Sequence, residues 1–260
     1  MKAIEAKLSR ARELLELLQR EVKAFEQSMP ALRLEKGYKP GTSIYAFFAH
    51  LDIEVPLRFG VLSGEVVHQL RSSLDHLVTH FVSSEGETIT RTHQFPIAST
   101  RKSYERQLAR GCLASVPEAV QTVIERFQPY NAQDPRVSEL LAVQELNNSD
   151  KHRLLAVVAA ATQIGEQVRI SCGENAAITG MSPPHLTLAN GSEFFAIDFA
   201  RCYADTNVDI DVQTSLALQR PRQLDWPFEL APLLSVLAQC ERAVVHVVSQ
   251  CLKAISANNG

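Results

Sequence analysis

The chain has 260 residues, 45% of them hydrophobic, and a formal net charge of −3, which is enough apolar material for a substantial core. It is too little positive charge for a broad face that neutralises duplex phosphates, so duplex DNA is not an expected partner, whereas a local RNA-binding pocket is compatible with it. No apolar run approaches the length of about 18 residues that crosses a bilayer, and the N-terminus opens as a charged amphipathic helix, so the expectation is a cytoplasmic protein away from membranes.

Ile4, Leu8, Ala11, Leu15, Leu18, Val22 and Phe25 alternate spacings of four and three, the pattern of a bundle or coiled-coil helix ended by Pro30. A seam this regular also suits pairing with a second copy, and a homodimer is one expected assembly. Residues 43–55 read as a strand that feeds a long helix over 58–83. In that helix Val67, Leu70, Leu74, Leu77, Val78 and Phe81 form the core stripe, while His68, Arg71 and Asp75 share an adjoining strip; Glu65 and His76 lie further round. Arg71 and Asp75 are an i,i+4 pair, so this strip is the first candidate site. As an ordinary surface pair they would contribute only about 0.3–0.5 kcal/mol.

Pro96 biases Phe95 to an extended conformation, a short helix is expected over 104–113, and Ser115-Val116-Pro117-Glu118 has the form of a capped helix start. From Pro135 a further helix turns Val137, Leu140 and Leu141 inward. Gln144, Asn148 and His152 continue the same stripe and need polar partners; alternatively the helix ends near Asn147 and the polar residues cap it.

Beyond Lys151 short apolar or alternating runs at 154–161, 167–172, 185–189, 193–200 and 208–218 predict an antiparallel sheet, with Asn190-Gly191 as its hairpin turn. Asp209 and Asp211 fall on one face of the last run, a pattern more typical of a solvated face than of a metal site. Leu230, Leu234, Leu237, Val244, Val248, Leu252 and Ile255 mark a closing helix. Glu241 interrupts this stripe and needs either a positive partner, for which Arg71 is the leading candidate, or access to water at a gap in the bundle. The expected fold is thus α+β: one domain over 1–260, with a helical bundle at 1–152 and 226–256 and a β-rich segment at 153–220. Five cysteines with no Cys-x-x-Cys pair fit reduced thiols and oppose a disulfide framework or structural zinc.

Residues 64–77, together with Gln94-Phe95-Pro96-Ile97, Gln128-Pro129-Tyr130 and Asn147-Asn148-Ser149-Asp150-Lys151-His152-Arg153, resemble a family of uncharacterised bacterial proteins over about residues 44–160. The resemblance implies a common fold and leaves chemistry open. Arg71 to His76 also resembles the Arg-x4-6-His motif of HEPN domains, among them metal-independent RNases of toxin and phage-defence systems. That likeness implies His76 as general acid or base, Arg71 as the stabiliser of phosphorane charge, and a composite site across a dimer. Ser72 and the C-terminal sheet depart from the HEPN pattern.

Three readings follow. The first is a binding or assembly protein with a buried polar network around Arg71 and Asp75, joined by His68, Asn148, Asp150, Lys151, His152 and Glu241. The second is a HEPN-like RNase using Arg71 and His76. The third is a bundle metalloprotein using Glu65 and His68, whose i,i+3 spacing is that of helical di-iron sites but which lacks a second such pair. No phosphate-cradling or dinucleotide-binding glycine pattern is present, and no cofactor is expected.

Overall fold

In chain order the elements begin with α1 (Lys2–Ser28), β1 (Arg33–Tyr38), β2 (Ile44–His50), α2 (Leu57–Ser84), α3 (Arg101–Ala109), α4 (Glu118–Arg126) and α5 (Glu139–Asp150). They continue with β3 (Val157–Ser171), β4 (Ile178–Met181), β5 (Ser192–Phe199), β6 (Asn207–Gln219), β7 (Leu230–Pro232) and α6 (Leu233–Asn258). The computed structural model describes residues 1–29, 33–39, 41–50, 53–171, 178–181, 192–199, 207–220 and 230–258. The fold is α+β with antiparallel sheets and a C-terminal helix, and no helix among the described residues is long and apolar enough to cross a membrane.

The chain divides into two compact units. One comprises residues 1–21, 57–156 and 219–260; the other comprises residues 22–56 and 157–218. Where the sequence suggests one domain with a β-rich part at 153–220, the β-rich unit also takes in residues 22–56.

The helical unit is built around α2, which packs on α5 and α6, while α4 packs on α6. The predicted α2 stripe is buried throughout, and Gly60, Leu62, Ser63, Gly64, Val66 and Ser73 are buried as well, so this helix is covered on more than one side. Two glycines bring α5 and the turn after it close to α2: a Cβ at Gly60 would overlap the Leu155 carbonyl oxygen, and one at Gly64 would overlap the Asp150 carboxylate. Along α1 the buried seam is Ile4, Ala11, Leu14, Leu18 and Val22, with Leu8 and Leu15 only half-buried. The burial therefore tracks the 3.6-residue helix period, and Leu14 replaces the Leu15 expected from a heptad.

In the β-rich unit a four-stranded antiparallel sheet has the order β1-β2-β5-β4. The expected strand at 43–55 thus joins the sheet as β2, whose Phe47 lies opposite Phe195 of β5 with ring centroids 5.9 Å apart. Strands β3 and β6 form a long antiparallel pair, from Val157 opposite Leu218 to Ser171 opposite Asn207.

Several local expectations change. Residues 157–161 and 167–171 of the two expected runs belong to the single strand β3. Ser115 does not cap α4: it has φ of 60°, and Pro117 occupies the cap position without a side-chain hydrogen bond. Helix α3 starts three residues earlier than expected, because the Thr100 hydroxyl accepts the Ser103 N–H at 3.2 Å and so nucleates the first turn. Leu230 belongs to β7 and not to α6. The Asn190-Gly191 turn, Cys172 and Cys202 lie outside the described residues.

Substituting the two glycines separates rigid from yielding contacts. Gly60→Ala is expected to lower unfolding free energy by about 1–3 kcal/mol, since a backbone carbonyl blocks the new methyl. Gly64→Ala is expected to cost less, because the Asp150 side chain can swing aside and alanine recovers up to about 1 kcal/mol of helix propensity. Urea titrations of the two variants check the order; equal losses would contradict it.

Candidate functional site

The strip on α2 meets the backbone N–H and carbonyl of Phe95. Arg71 Nη2 donates to the Phe95 carbonyl oxygen at 2.9 Å, and Asp75 Oδ1 accepts the Phe95 N–H at 2.9 Å. Arg71 Nη1 also lies 2.8 Å from Asp75 Oδ1, a close charge contact whose N–H is poorly aligned, so that this buried nitrogen makes no regular hydrogen bond. Residues 93–98 belong to no strand, and their buried peptide groups must find partners elsewhere. Gln128 supplies the next ones: its Oε1 accepts the Ala98 N–H at 3.0 Å, and its Nε2 donates to the Pro96 and Ile124 carbonyls at 2.8 and 3.1 Å. Two side-chain devices from α2 and the end of α4 thus hold one irregular segment. Arg71, Asp75 and Gln128 are the side chains of this clamp, and Phe95, Pro96 and Ala98 supply the backbone groups that it holds.

Burial disfavours both charges of the pair. It raises the pKa of the Asp75 carboxyl, against the pull of Arg71, the Phe95 N–H and Lys151, and lowers that of the Arg71 guanidinium, against the opposing effect of Asp75. The Arg71 side chain is 12% exposed and that of Asp75 35%, so the carboxylate keeps some access to water.

Other expected members of the network lie elsewhere. Glu241 does not meet Arg71; its Oε1 accepts from Arg12 Nε of α1 at 2.7 Å. The α6 seam brings this carboxylate beside α1, where an exposed arginine supplies the required charge. His68 is exposed and exerts its charge on Asp150, whereas Lys151, though exposed, lies near enough to Asp75 to oppose the rise of its pKa. His76 is half-buried, and neither it nor Arg71 lines the cavity at the end of α5 or the one beside α3. No group of three His, Cys, Asp or Glu side chains placed to hold a metal occurs among the described residues. Cys112, Cys240 and Cys251 are buried free thiols, with Cys240 and Cys251 pushed up to about 12 by burial, which leaves them neutral.

The cavity that gathers sequence-selected residues lies at the C-terminal end of α5. Glu145, Asn148, Ser149 and His152 follow i, i+3, i+4 and i+7 spacing, and with Arg153 and Leu155 they line a cavity of about 440 Å³. The α5 core face is instead Leu140, Val143, Leu146 and Asn147, and Gln144 opens onto a different cavity. Helix α5 begins only at Glu139, after a 3-10 turn at Pro135–Val137, and Val137 is exposed; the inward stripe is rotated from the one projected through Val137. The helix ends at Asp150, where the Lys151 N–H reaches the Asn147 carbonyl and the His152 and Arg153 N–H groups reach that of Ser149. Arg153 thereby places its positive charge near the negative end of the helix dipole.

Burial raises the pKa of Glu145, and also of Asp150, where Glu65 adds to the rise and His68 opposes it. A desolvated carboxyl that shares a cavity lining with an imidazole and a guanidinium is a combination suited to holding an anion and exchanging a proton with it. Comparison with family models, curated proteins and solved structures returns no match.

Three outcomes follow. Arg71→Ala should lower stability by about 3 kcal/mol, at the low end for a buried pair because Asp75 can reach water. Replacing both partners, as Arg71→Met with Asp75→Leu, should not restore stability, since the Phe95 N–H and carbonyl remain unpaired. Full recovery of the melting temperature in the double variant would contradict the clamp. Glu145, with its pKa raised in the folded state, contributes stability that is complete below its unfolded pKa and is lost as pH rises through the folded value. Glu145→Gln should therefore raise the melting temperature at pH 7 by on the order of 1–2 °C and flatten its fall between mildly acidic and neutral pH.

Proposed function

We propose that this chain is a ligand-binding protein whose helical unit takes a small organic carboxylate into the cavity at the end of α5. The observation that carries the proposal is the convergence of Glu145, Asn148, His152 and Arg153 on one cavity of about 440 Å³, within the range of small-ligand sites. Arg153 and His152 supply donors for a carboxylate, Asn148 and Ser149 supply orienting hydrogen bonds, and Leu154 and Leu155 offer apolar surface to the ligand's hydrocarbon part. A carboxylate docking beside Glu145 favours its protonated form, which then donates to the ligand instead of repelling it. Binding in this reading takes up a proton.

Arg71 has a place in this proposal as a structural residue. Its guanidinium is engaged by the Phe95 carbonyl and by Asp75, which supports the binding reading over a HEPN-like RNase that would need the same group for transition-state charge. RNA as substrate and a composite dimeric site belong to that alternative.

Calorimetric titration with benzoate and hexanoate tests the proposal. Affinity should fall as pH rises through the Glu145 titration, and Arg153→Ala should weaken binding about tenfold, the loss of one charge-assisted contact. Glu145→Gln should bind with little pH dependence. Absence of saturable binding for both carboxylates, together with metal-independent cleavage of single-stranded RNA that Arg71→Ala and His76→Ala each abolish, would establish the RNase reading instead.

A further inference from the structure

The apolar side of the α5 cavity does not end at its rim. Leu154, which lines the cavity, also packs on α2, where its side chain fills the space over Gly60: a Cβ at position 60 would stand 3.0 Å from Leu154 Cγ and 3.3 Å from its Cδ1. The same leucine remains 42% exposed, and beside it on α2 stand Leu57, 75% exposed, and Val61, 46% exposed. Leu57 is three residues from Gly60 and four from Val61, so the three aliphatic side chains adjoin in one strip on the surface of the helix.

Leu57 and Val61 serve no core. The buried face at this end of α2 is Phe59, Leu62, Ser63 and Val66, and the two exposed residues lie off it. A lone exposed leucine needs no explanation, but three large aliphatic side chains in one strip, continuous with a ligand cavity, mark a contact surface. The nearest cation on the helix, Arg58, is already held by both oxygens of Glu21, at 2.7 and 2.9 Å. The strip thus adds apolar surface without adding free charge, while His152 and Arg153 stay in the cavity. Charge in the cavity and hydrocarbon on the strip is the division of a fatty carboxylate.

We propose that the ligand of the α5 cavity is an alkyl carboxylate of medium chain length, a fatty acid in chemistry, whose head lies by His152 and Arg153 and whose chain leaves over Leu154 to lie along Leu57 and Val61. The inference rests on the carboxylate reading of that cavity and adds the tail. Positions 57 to 61 span about 6 Å of helix, the reach of roughly four methylenes, so the chain that covers the strip is longer than hexanoate by about that many.

Calorimetry of the full chain with hexanoate, octanoate and decanoate, kept below micelle formation, tests it. A methylene taken fully out of water gives about fourfold in affinity and one laid on a half-open strip about twofold, so decanoate should bind about 16-fold more tightly than hexanoate. In the double variant Leu57→Ser with Val61→Ser, hexanoate should bind as before and decanoate should fall to within about threefold of it. Ile89→Ser, at an exposed residue beyond the far end of α2, should leave the whole series unchanged. Hexanoate that binds while decanoate binds no more tightly, a chain-length gain that survives the double variant, or a gain that Ile89→Ser also removes would overturn the tail and leave the carboxylate site standing. No saturable heat with any of the three would remove the site and the tail together. Phosphatidylglycerol vesicles that sediment the unaltered chain but not the double variant would also overturn the proposal, because the strip would then be meeting a membrane surface.

Discussion

The peptide group of Phe95 is the constraint on which the helical unit depends. An irregular segment at 93–98 is buried against α2 and has no strand to satisfy its backbone, so its N–H and carbonyl groups take Asp75, Arg71 and Gln128 as partners. A carboxylate and a guanidinium one helical turn apart match the backbone donor and acceptor of one residue, which a pair of apolar side chains cannot do. The pair thus serves to satisfy a segment that leads into α3, and through α3 it bears on where Arg106 and Arg110 stand.

Helix α5 lines two cavities because its faces are divided. Leu140, Val143, Leu146 and Asn147 are buried, Glu145, Asn148 and Ser149 line one cavity, and Gln144 lines the other. This division needs α5 held close to α2, which the absence of side chains at Gly60 and Gly64 permits. The close approach also places the Asp150 carboxylate near His68 and Glu65, and its raised pKa is the electrostatic consequence of that packing.

The overall charge of −3 conceals local asymmetry. The α3 cavity presents arginines without a lining carboxylate, while the α5 cavity sets His152, Arg153 and Arg220 against one desolvated glutamate. Net charge argues against a broad polyanion-binding face, yet it says nothing about pockets of this size, where three guanidiniums decide the local potential.

The sequence by itself determined the α+β class, the long central helix and its core stripe, and the closing helix. These are carried by local periodicity and residue type, which one chain displays directly. Its errors were partner choices and rotations. Glu241 lies on the apolar seam as its spacing required, but Arg12 and not Arg71 answers it, because the choice between two arginines depends on how three helices pack. The Arg71–Asp75 pair was visible, while its partner was a backbone unit some twenty residues away, and backbone groups leave no mark in a sequence. The arginine cavity was invisible for the same reason: Arg91 and α3 are ordinary surface residues until tertiary structure closes them around a common space. The face that Gln144 and Glu145 present turned on where α5 begins, since a change of one residue in helical phase rotates every side chain by about 100°.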